Sequence, residues 1–383
     1  MFFLAALLTG PAYAADDSIE ARLRALELQV QHLAKENADL KKELGWKDAK
    51  APVLVQPAGK EARLAVGGFI QAQGEAGHAA DPRWAGVKDR FFFRRTRIFV
   101  QGSFTEDWDF KAELELGAGS LGAASGLQAK ANEIYVSWRK HPEAIVRFGQ
   151  IKSAFGAEQL ASDTKLLAIE RSLPNDRLTD GRQLGLTVGG ELADHKFGYL
   201  VMLANGNGVN TSANDNSKFQ QSARIYFAPV STHEDKLVFG ANAIWAEDSG
   251  ITKSGFGFAG NLFTGKHSGW GVDGQWTHGR FDLFGEYLHN TFKPAGGAAF
   301  DADGWQATAA YFLVPARVQA LARHEEFDPN TGAGGNTIRS WTLGLNYLIK
   351  GEDLRLMLDY IYGAVPGSST DGGRWLTRMQ VLF

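Results

Sequence analysis

The spacing of apolar residues changes once along this chain, from a period near seven to a period of two. Between Ile19 and Leu44, apolar side chains recur at alternating spacings of four and three residues, with one polar seam position at Asn37 and charged flanking residues such as Glu27 and Lys41. Because so narrow a seam needs partner helices to bury it, the pattern predicts a short α-helical coiled coil. Its length of under four heptads leaves open a single amphipathic helix lying on the rest of its own chain.

Beyond residue 63, apolar and polar residues alternate to the end of the sequence. From Trp108 to Leu116 the alternation of apolar and charged residues has no fault. One face of such a strand contacts apolar surroundings and the other contacts water. The pattern predicts sixteen strands beginning near residues 63, 91, 107, 131, 144, 183, 196, 220, 236, 268, 279, 303, 316, 338, 353 and 373.

The links between these strands alternate between short and long. Thr105-Glu106 and Val314-Pro315 are short links, whereas residues 74–90 and 150–182 are long ones. Short periplasmic turns and long outer loops are typical of outer-membrane barrels, because a bilayer permits only closed sheets. We therefore predict an all-β fold, a 16-stranded antiparallel transmembrane β-barrel, over residues 63–383.

Composition agrees with strands that cross a membrane. The sequence has no run of about 18 apolar residues that could form a membrane-spanning helix. It has 45 glycines and 11% aromatic residues, which suits a large antiparallel β protein. A soluble β-sandwich or propeller would alternate too, but would not need outward faces as apolar as Trp270, Val272 and Trp276.

Residues 1–14 are predicted to be a signal peptide. An apolar stretch is followed by Ala12-Tyr13-Ala14, the small-residue pattern of a cleavage site, and a buried N-terminal helix or strand is the alternative. The barrel would then lie in the outer membrane of a Gram-negative cell. We divide the chain into the signal peptide at 1–14, a periplasmic coiled-coil segment at 15–46, a linker at 47–62 and the barrel at 63–383.

No catalytic constellation is apparent in the sequence. The absence of cysteine removes thiolate catalysis and Cys-ligated metals, and the histidines follow no metal-binding spacing. A formal net charge of −3 argues against a nucleic-acid partner. We predict that the protein is not an enzyme and uses no metal or cofactor, with an outer-membrane hydrolase as the alternative.

Several short motifs along the barrel resemble one family of outer-membrane proteins. They are Phe93-Arg94-Arg95, Phe148-Gly149-Gln150, Phe155-Gly156, the run 168–173, Phe227-Ala228-Pro229, Trp270-Gly271-Val272 and the run 342–346. In matching order from about 64 to 383, they resemble the phosphate-selective porin O and P family. The resemblance implies a homotrimeric, anion-passing porin in outer-membrane lipid, with arginines along the lumen wall and lysines near the constriction.

By this resemblance, Arg94 and Arg95 fall on a basic pair of the wall and Arg224 on a further wall arginine. Two positions depart from the phosphate-specific members. Asn132 stands where they carry an acidic residue, and Thr164, with Lys165 beside it, stands where they carry a constriction lysine. Which anion is carried therefore stays open.

Period two independently directs Arg95, Arg97, Lys111 and Arg224 toward the lumen, together with many carboxylates, whereas Arg94 is out of phase and is expected at a rim or bulge. A lumen wall that carries both positive and negative side chains selects anions only where the positive ones gather at a narrow point. The candidate anion-pathway residues are Arg94, Arg95, Arg97, Lys111, Lys152, Lys165 and Arg224.

The longest connection, residues 150–182, carries apolar side chains such as Phe155, Ile169 and Leu173 that a freely exposed loop would not need. We expect it to fold into the barrel and to hold Lys152 and Lys165 opposite the arginines Arg95, Arg97 and Arg224. The predicted function is passive uptake of phosphate or similar small anions. The alternatives are a general non-selective diffusion porin and a structural barrel that tethers the envelope through its coiled coil.

Overall fold

The computed structural model describes residues 54–55, 63–118, 121–122, 126–232, 234–364 and 372–383. The described residues belong to one compact unit. The predicted signal peptide, the predicted coiled coil and most of the predicted linker lie outside the described residues. Within that linker, the two-residue strand β1 (Leu54–Val55) pairs antiparallel with Ala65 and Leu64.

In the described part of the chain, sixteen antiparallel strands close into a barrel, as the alternation predicted. Each strand pairs with the next along the chain, and the last pairs with the first to close the sheet. These strands are β2 (Arg63–Gly77), β3 (Arg90–Ser103), β4 (Trp108–Glu115), β5 (Lys130–Trp138), β6 (Ile145–Lys152), β7 (Arg182–Leu192), β8 (Phe197–Ala204), β9 (Gln220–Ser231), β10 (Asp235–Thr252), β11 (Leu262–His278), β12 (Phe281–Pro294), β13 (Phe300–Val314), β14 (Val318–Asp328), β15 (Ile338–Lys350), β16 (Leu354–Gly363) and β17 (Gly372–Leu382).

The predicted strand starts agree with the observed ones within a few residues, except at β11. This strand begins at Leu262 rather than near 268, because its pairing with β10 continues beyond an irregularity between Asp248 and Ile251. Much of the chain just before the predicted start near 268 is therefore a continued hairpin.

The two faces of the sheet differ in chemistry. In β15, Trp341, Leu343 and Leu345 are exposed on the outer face, while Thr342 and Asn346 are buried on the inner face. Alternation along a pleated strand places successive side chains on opposite faces, so the barrel presents an apolar exterior around a polar lumen. Across the described residues, no helix is long and apolar enough to cross a membrane.

A β-bulge in β3 explains the out-of-phase arginine. Gln71 pairs with Arg95 and Ala72 pairs with Phe93, so Arg94 has no partner of its own in this ladder. An extra residue of this kind re-aims the side chains beside it. Arg94 and Arg95 are both buried, whereas Phe93 is 47% exposed on the outer face. The expectation that Arg94 sits at a rim or bulge is met by the bulge.

Residues 153–181, here called the lumen loop, fold into the barrel. The loop contains two short helices, α1 (Ala157–Leu160) and α2 (Leu173–Leu178). Phe155 and Leu173 pack in one apolar cluster with Phe292 of β12 and Phe327 of β14. These contacts confirm the prediction that this connection lies against the inner wall.

The loop between β2 and β3 also packs onto the lumen loop, at the end of the barrel where the long loops lie. Its 3₁₀ helix (Pro82–Trp84) buries Trp84 in an apolar cluster with Ile169 of the lumen loop and Leu376 of β17. The remaining short 3₁₀ helix (Ala259–Asn261) lies between β10 and β11.

Candidate functional site: an arginine-lined passage

Glu170 anchors the lumen loop to the barrel wall. Its carboxylate accepts hydrogen bonds from Arg94 Nε at 2.9 Å and Arg94 Nη2 at 3.2 Å, and also from Arg378 of β17. Arg95 Nη2 lies 3.5 Å from the same group. Burial raises the pKa of Glu170, but the charges of Arg94, Arg378 and Arg95 lower it further, so the net pKa lies well below its usual range. The loop is therefore held by an ionised carboxylate.

Asp163, at a turn of the same loop, meets a second group of arginines. Its carboxylate oxygens lie 2.5 Å from Arg171 Nη1, 2.6 Å from Arg97 Nη1 and 3.5 Å from Arg95 Nη2. Burial raises the pKa of Asp163, yet Arg171, Arg95 and Arg97 together hold it well below its usual range. The carboxylate is consequently charged at every physiological pH.

Two cavities share lining residues at this point. The outer cavity, about 230 Å³, includes residues of the long loops such as Leu121 and Val209. The inner cavity, about 350 Å³, extends toward the short turns. Arg97, Asp163 and Arg182 line both cavities, and we call these three residues the junction.

Cationic side chains outnumber carboxylates on both sides of the junction. Among the described residues, the outer cavity has seven cationic residues (Arg83, Arg94, Arg95, Arg97, Lys130, Arg171 and Arg182) and four carboxylates (Glu115, Asp163, Glu170 and Asp176). The described lining of the inner cavity has five cationic residues (Arg97, Lys111, Arg147, Lys152 and Arg182) and three carboxylates (Glu113, Glu133 and Asp163). Rings of arginine and lysine at a constriction favour anions.

The structure brings five of the seven predicted residues to these two cavities. Arg94 and Arg95 line the outer cavity, Arg97 lines both, and Lys111 and Lys152 line the inner one. All of them contact acceptors within the protein. Lys111 Nζ lies 2.7 Å from Glu113 Oε2 and 3.1 Å from Glu133 Oε2. Lys152 Nζ donates to the Ala161 carbonyl at 2.7 Å, which ties the lumen loop to the end of β6.

Lys165 and Arg224 lie elsewhere. Both line a third cavity of about 550 Å³ that also includes Glu191 and Lys236 near the short turns. Arg224 forms a bidentate ion pair with Asp273, in which Nη1 lies 2.5 Å from Oδ2 and Nη2 lies 2.8 Å from Oδ1.

The expected single gap, with Lys152 and Lys165 opposite Arg95, Arg97 and Arg224, is therefore wrong. Lys152 shares a cavity with Arg97, and Lys165 shares a different one with Arg224. The reason is a turn in the lumen loop, closed by a hydrogen bond from the Lys165 amide to the Ser162 carbonyl at 3.0 Å. That turn buries Asp163 among the arginines and leaves Lys165 exposed.

The sequence analysis missed two arginines of this site, Arg182 at the junction and Arg171 on the outer cavity. Arg182 is the Cα partner of Lys152 where β6 and β7 pair, so pairing the two strands across the long loop would have placed it on the lumen wall. Arg182 Nη2 lies 3.0 Å from Glu133 Oε1. Arg171 contacts Asp163 within the folded loop, and no periodic pattern signals that contact.

Comparison with known proteins places this chain in a family. The model of the phosphate-selective porin O and P family matches residues 79–383. Porin O of Pseudomonas aeruginosa is 25% identical over 347 residues, covering 81% of this chain and 78% of that protein.

Solved barrels resemble the fold. The outer membrane channel DcaP of Acinetobacter baumannii has a TM-score of 0.61 at 12% identity, over 86% of this chain and 99% of that one. An anion-selective porin from Comamonas acidovorans has a TM-score of 0.61 at 13% identity, over 84% and 100%. The trimer form of OmpT from Vibrio cholerae has a TM-score of 0.56 at 13% identity, over 84% and 99%. The chain belongs to the phosphate-selective porin O and P family and is an outer-membrane porin.

Proposed function

We propose that this porin conducts small anions passively, phosphate among them, through the junction of Arg97, Asp163 and Arg182. The observation that carries the proposal is the excess of cationic side chains on both cavities that these residues line. Two unit charges 4 Å apart interact by about 1 kcal/mol in water and by about 4 kcal/mol at an effective dielectric constant near 20. Confinement in a narrow lumen therefore turns a small excess of positive charge into selectivity.

A general diffusion porin is the competing function, and the pairing of the lumen charges favours it in part. Arg97 Nε lies 2.7 Å from Glu115 Oε2, and Arg94 and Lys111 likewise contact carboxylates. Paired charges project a weaker field than free ones. We therefore propose a preference for anions rather than exclusive anion passage.

The reversal potential in a salt gradient across a planar bilayer tests this function. At low salt we expect the sign of an anion-preferring channel, and we expect the preference to weaken as salt rises, because the Debye length falls from about 10 Å at 0.1 M to about 3 Å at 1 M. Inorganic phosphate, added on one side, should reduce chloride current if phosphate enters the same passage. A cation-selective reversal potential at low salt would overturn the proposal.

We also propose that the porin is a homotrimer with a periplasmic N-terminal segment. The heptad seam from Ile19 to Leu44, with its polar position at Asn37, supports self-association. The solved trimer form of OmpT supports the trimeric state of the fold. Chemical cross-linking of the detergent-extracted protein should give a band at three times the monomer mass. A variant lacking residues 15–46 tests the role of the seam, and cross-linking of the intact chain that gives monomer alone would refute the trimer.

A further inference from the structure

Asp163 places a negative charge at the point where an anion would meet the arginines of the passage. The residue is 3% exposed, and it lines both cavities. It belongs to the lumen loop, whereas Arg95 and Arg97 belong to β3. The loop thus carries a carboxylate across the lumen to the wall arginines.

The arrangement has the chemistry of an occupied anion site. Guanidinium groups match the oxygens of carboxylate and phosphate in the same planar manner. Among the described residues, Arg95, Arg97 and Arg171 all lie within ion-pair distance of the Asp163 carboxylate. A permeating anion at the junction would seek the same donors.

Asp163 is fixed in this place by its backbone. Its carbonyl accepts a hydrogen bond from Gln71 Nε2 at 3.0 Å, and the carbonyl of the next residue, Thr164, accepts one from Gln380 Nε2 at 3.1 Å. Gln71 and Gln380 also bond to each other at 2.8 Å. The wall therefore clamps the turn through main-chain contacts that do not depend on the Asp163 side chain.

We propose that Asp163 is a specificity-determining residue, a tethered counter-anion that keeps the arginine site of the passage from binding permeating anions tightly. This inference rests on the proposed anion conduction. The Asp163 carboxylate lowers the positive charge around Arg95, Arg97 and Arg171 by one unit. Arg95 also pairs with Glu170, and Arg97 with Glu113 and Glu115, so Asp163 adds to carboxylates that already face these arginines. Multivalent anions feel this difference most, because their attraction to the site scales with their charge. Asp163 thus favours rapid passage of small anions over retention of polyanions.

The test is Asp163→Asn, which removes the charge while keeping the shape and the clamped backbone. We expect the anion-to-cation permeability ratio at low salt to rise severalfold. We also expect the concentration of inorganic phosphate that halves chloride current to fall severalfold, with a larger fall for pyrophosphate. Asp163→Glu restores the charge and should keep both values near those of the unmodified porin.

Asp215→Asn is the matched control. Asp215 is exposed in the link between β8 and β9 and is not among the described residues that line the two cavities. We expect a small change in both measurements. If Asp163→Asn leaves phosphate block and selectivity as they were, the inference is wrong. If it raises conductance to all ions and abolishes selectivity, Asp163 anchors the loop instead, which also overturns the inference.

Failure of the inference is distinguishable from failure of the proposed function. A cation-selective unmodified porin would refute anion conduction, yet the shift on Asp163→Asn toward anions would still support the role of this carboxylate. An anion-selective unmodified porin with no shift on Asp163→Asn would refute the inference alone.

Discussion

Replacing Glu170 with alanine should release the lumen loop from the barrel wall, raise single-channel conductance severalfold and lower the thermal midpoint of unfolding. Glu170 is 3% exposed and contacts the buried guanidinium groups of Arg94, Arg95 and Arg378. Removing one partner of a buried ion pair typically costs about 3–5 kcal/mol, because it leaves uncompensated charge in a low-dielectric site. Conductance in planar bilayers and circular dichroism melting in detergent measure the two effects.

Asp353→Ala is the matched control. Asp353 Oδ2 lies 3.4 Å from Lys350 Nζ, and the two side chains are 52% and 41% exposed at the link between β15 and β16. Exposed ion pairs contribute about 0–1 kcal/mol, so conductance and the melting midpoint should change little. Equal losses in the two variants, or unchanged conductance in Glu170→Ala, would contradict the anchoring role of Glu170.

The same anchor determines how the loop responds to pH. The pKa of Glu170 is lower in the folded protein than in the unfolded chain, as is that of Asp163. A group of this kind contributes stability that is fully present above its unfolded pKa, near 4 for Asp and Glu, and that is lost as pH falls through the depressed folded value. Loop docking should therefore persist from neutral pH down to about pH 5, and conductance should change little over that interval.

The sequence predicted those features that depend on which residues are buried locally. Alternation with period two predicted the sixteen strands and the inward direction of Arg97, because it reports which face of a sheet a side chain occupies. The apolar residues Phe155 and Leu173 predicted that the lumen loop folds inward, because exposing them would be unfavourable. Both features follow from local patterns of burial.

The contacts made inside the lumen could not be predicted in this way. Period two assigns Arg97 and Arg224 to the same face but does not report that β3 and β9 border different cavities. The turn that separates Asp163 from Lys165 also depends on hydrogen bonds to Gln71 and Gln380, which are distant along the chain. Such contacts belong to the closed barrel rather than to any segment.

Neutralising both junction arginines, as Arg97→Gln combined with Arg182→Gln, should move the low-salt reversal potential strongly toward cations. The change leaves the inner cavity with three cationic residues (Lys111, Arg147 and Lys152) against three carboxylates (Glu113, Glu133 and Asp163). In the described lining of the inner cavity, the excess of positive charge that favours anions is then gone. In that of the outer cavity it falls from seven against four to five against four. Reversal potentials of the variant and the unmodified porin, recorded in the same gradient, measure the shift.

Arg224→Gln separates the junction from the third cavity. Arg224 is also a lumen arginine paired to a carboxylate, Asp273, but it lines the cavity beside Lys165 rather than the junction. We expect this single change, and its combination with Lys165→Gln, to shift the reversal potential far less than the junction pair does. If the third-cavity variant shifts selectivity as strongly, ions pass by way of Arg224 and the assignment of the passage to Arg97 and Arg182 is wrong. Melting midpoints close to that of the unmodified porin would show that neither result comes from a displaced lumen loop.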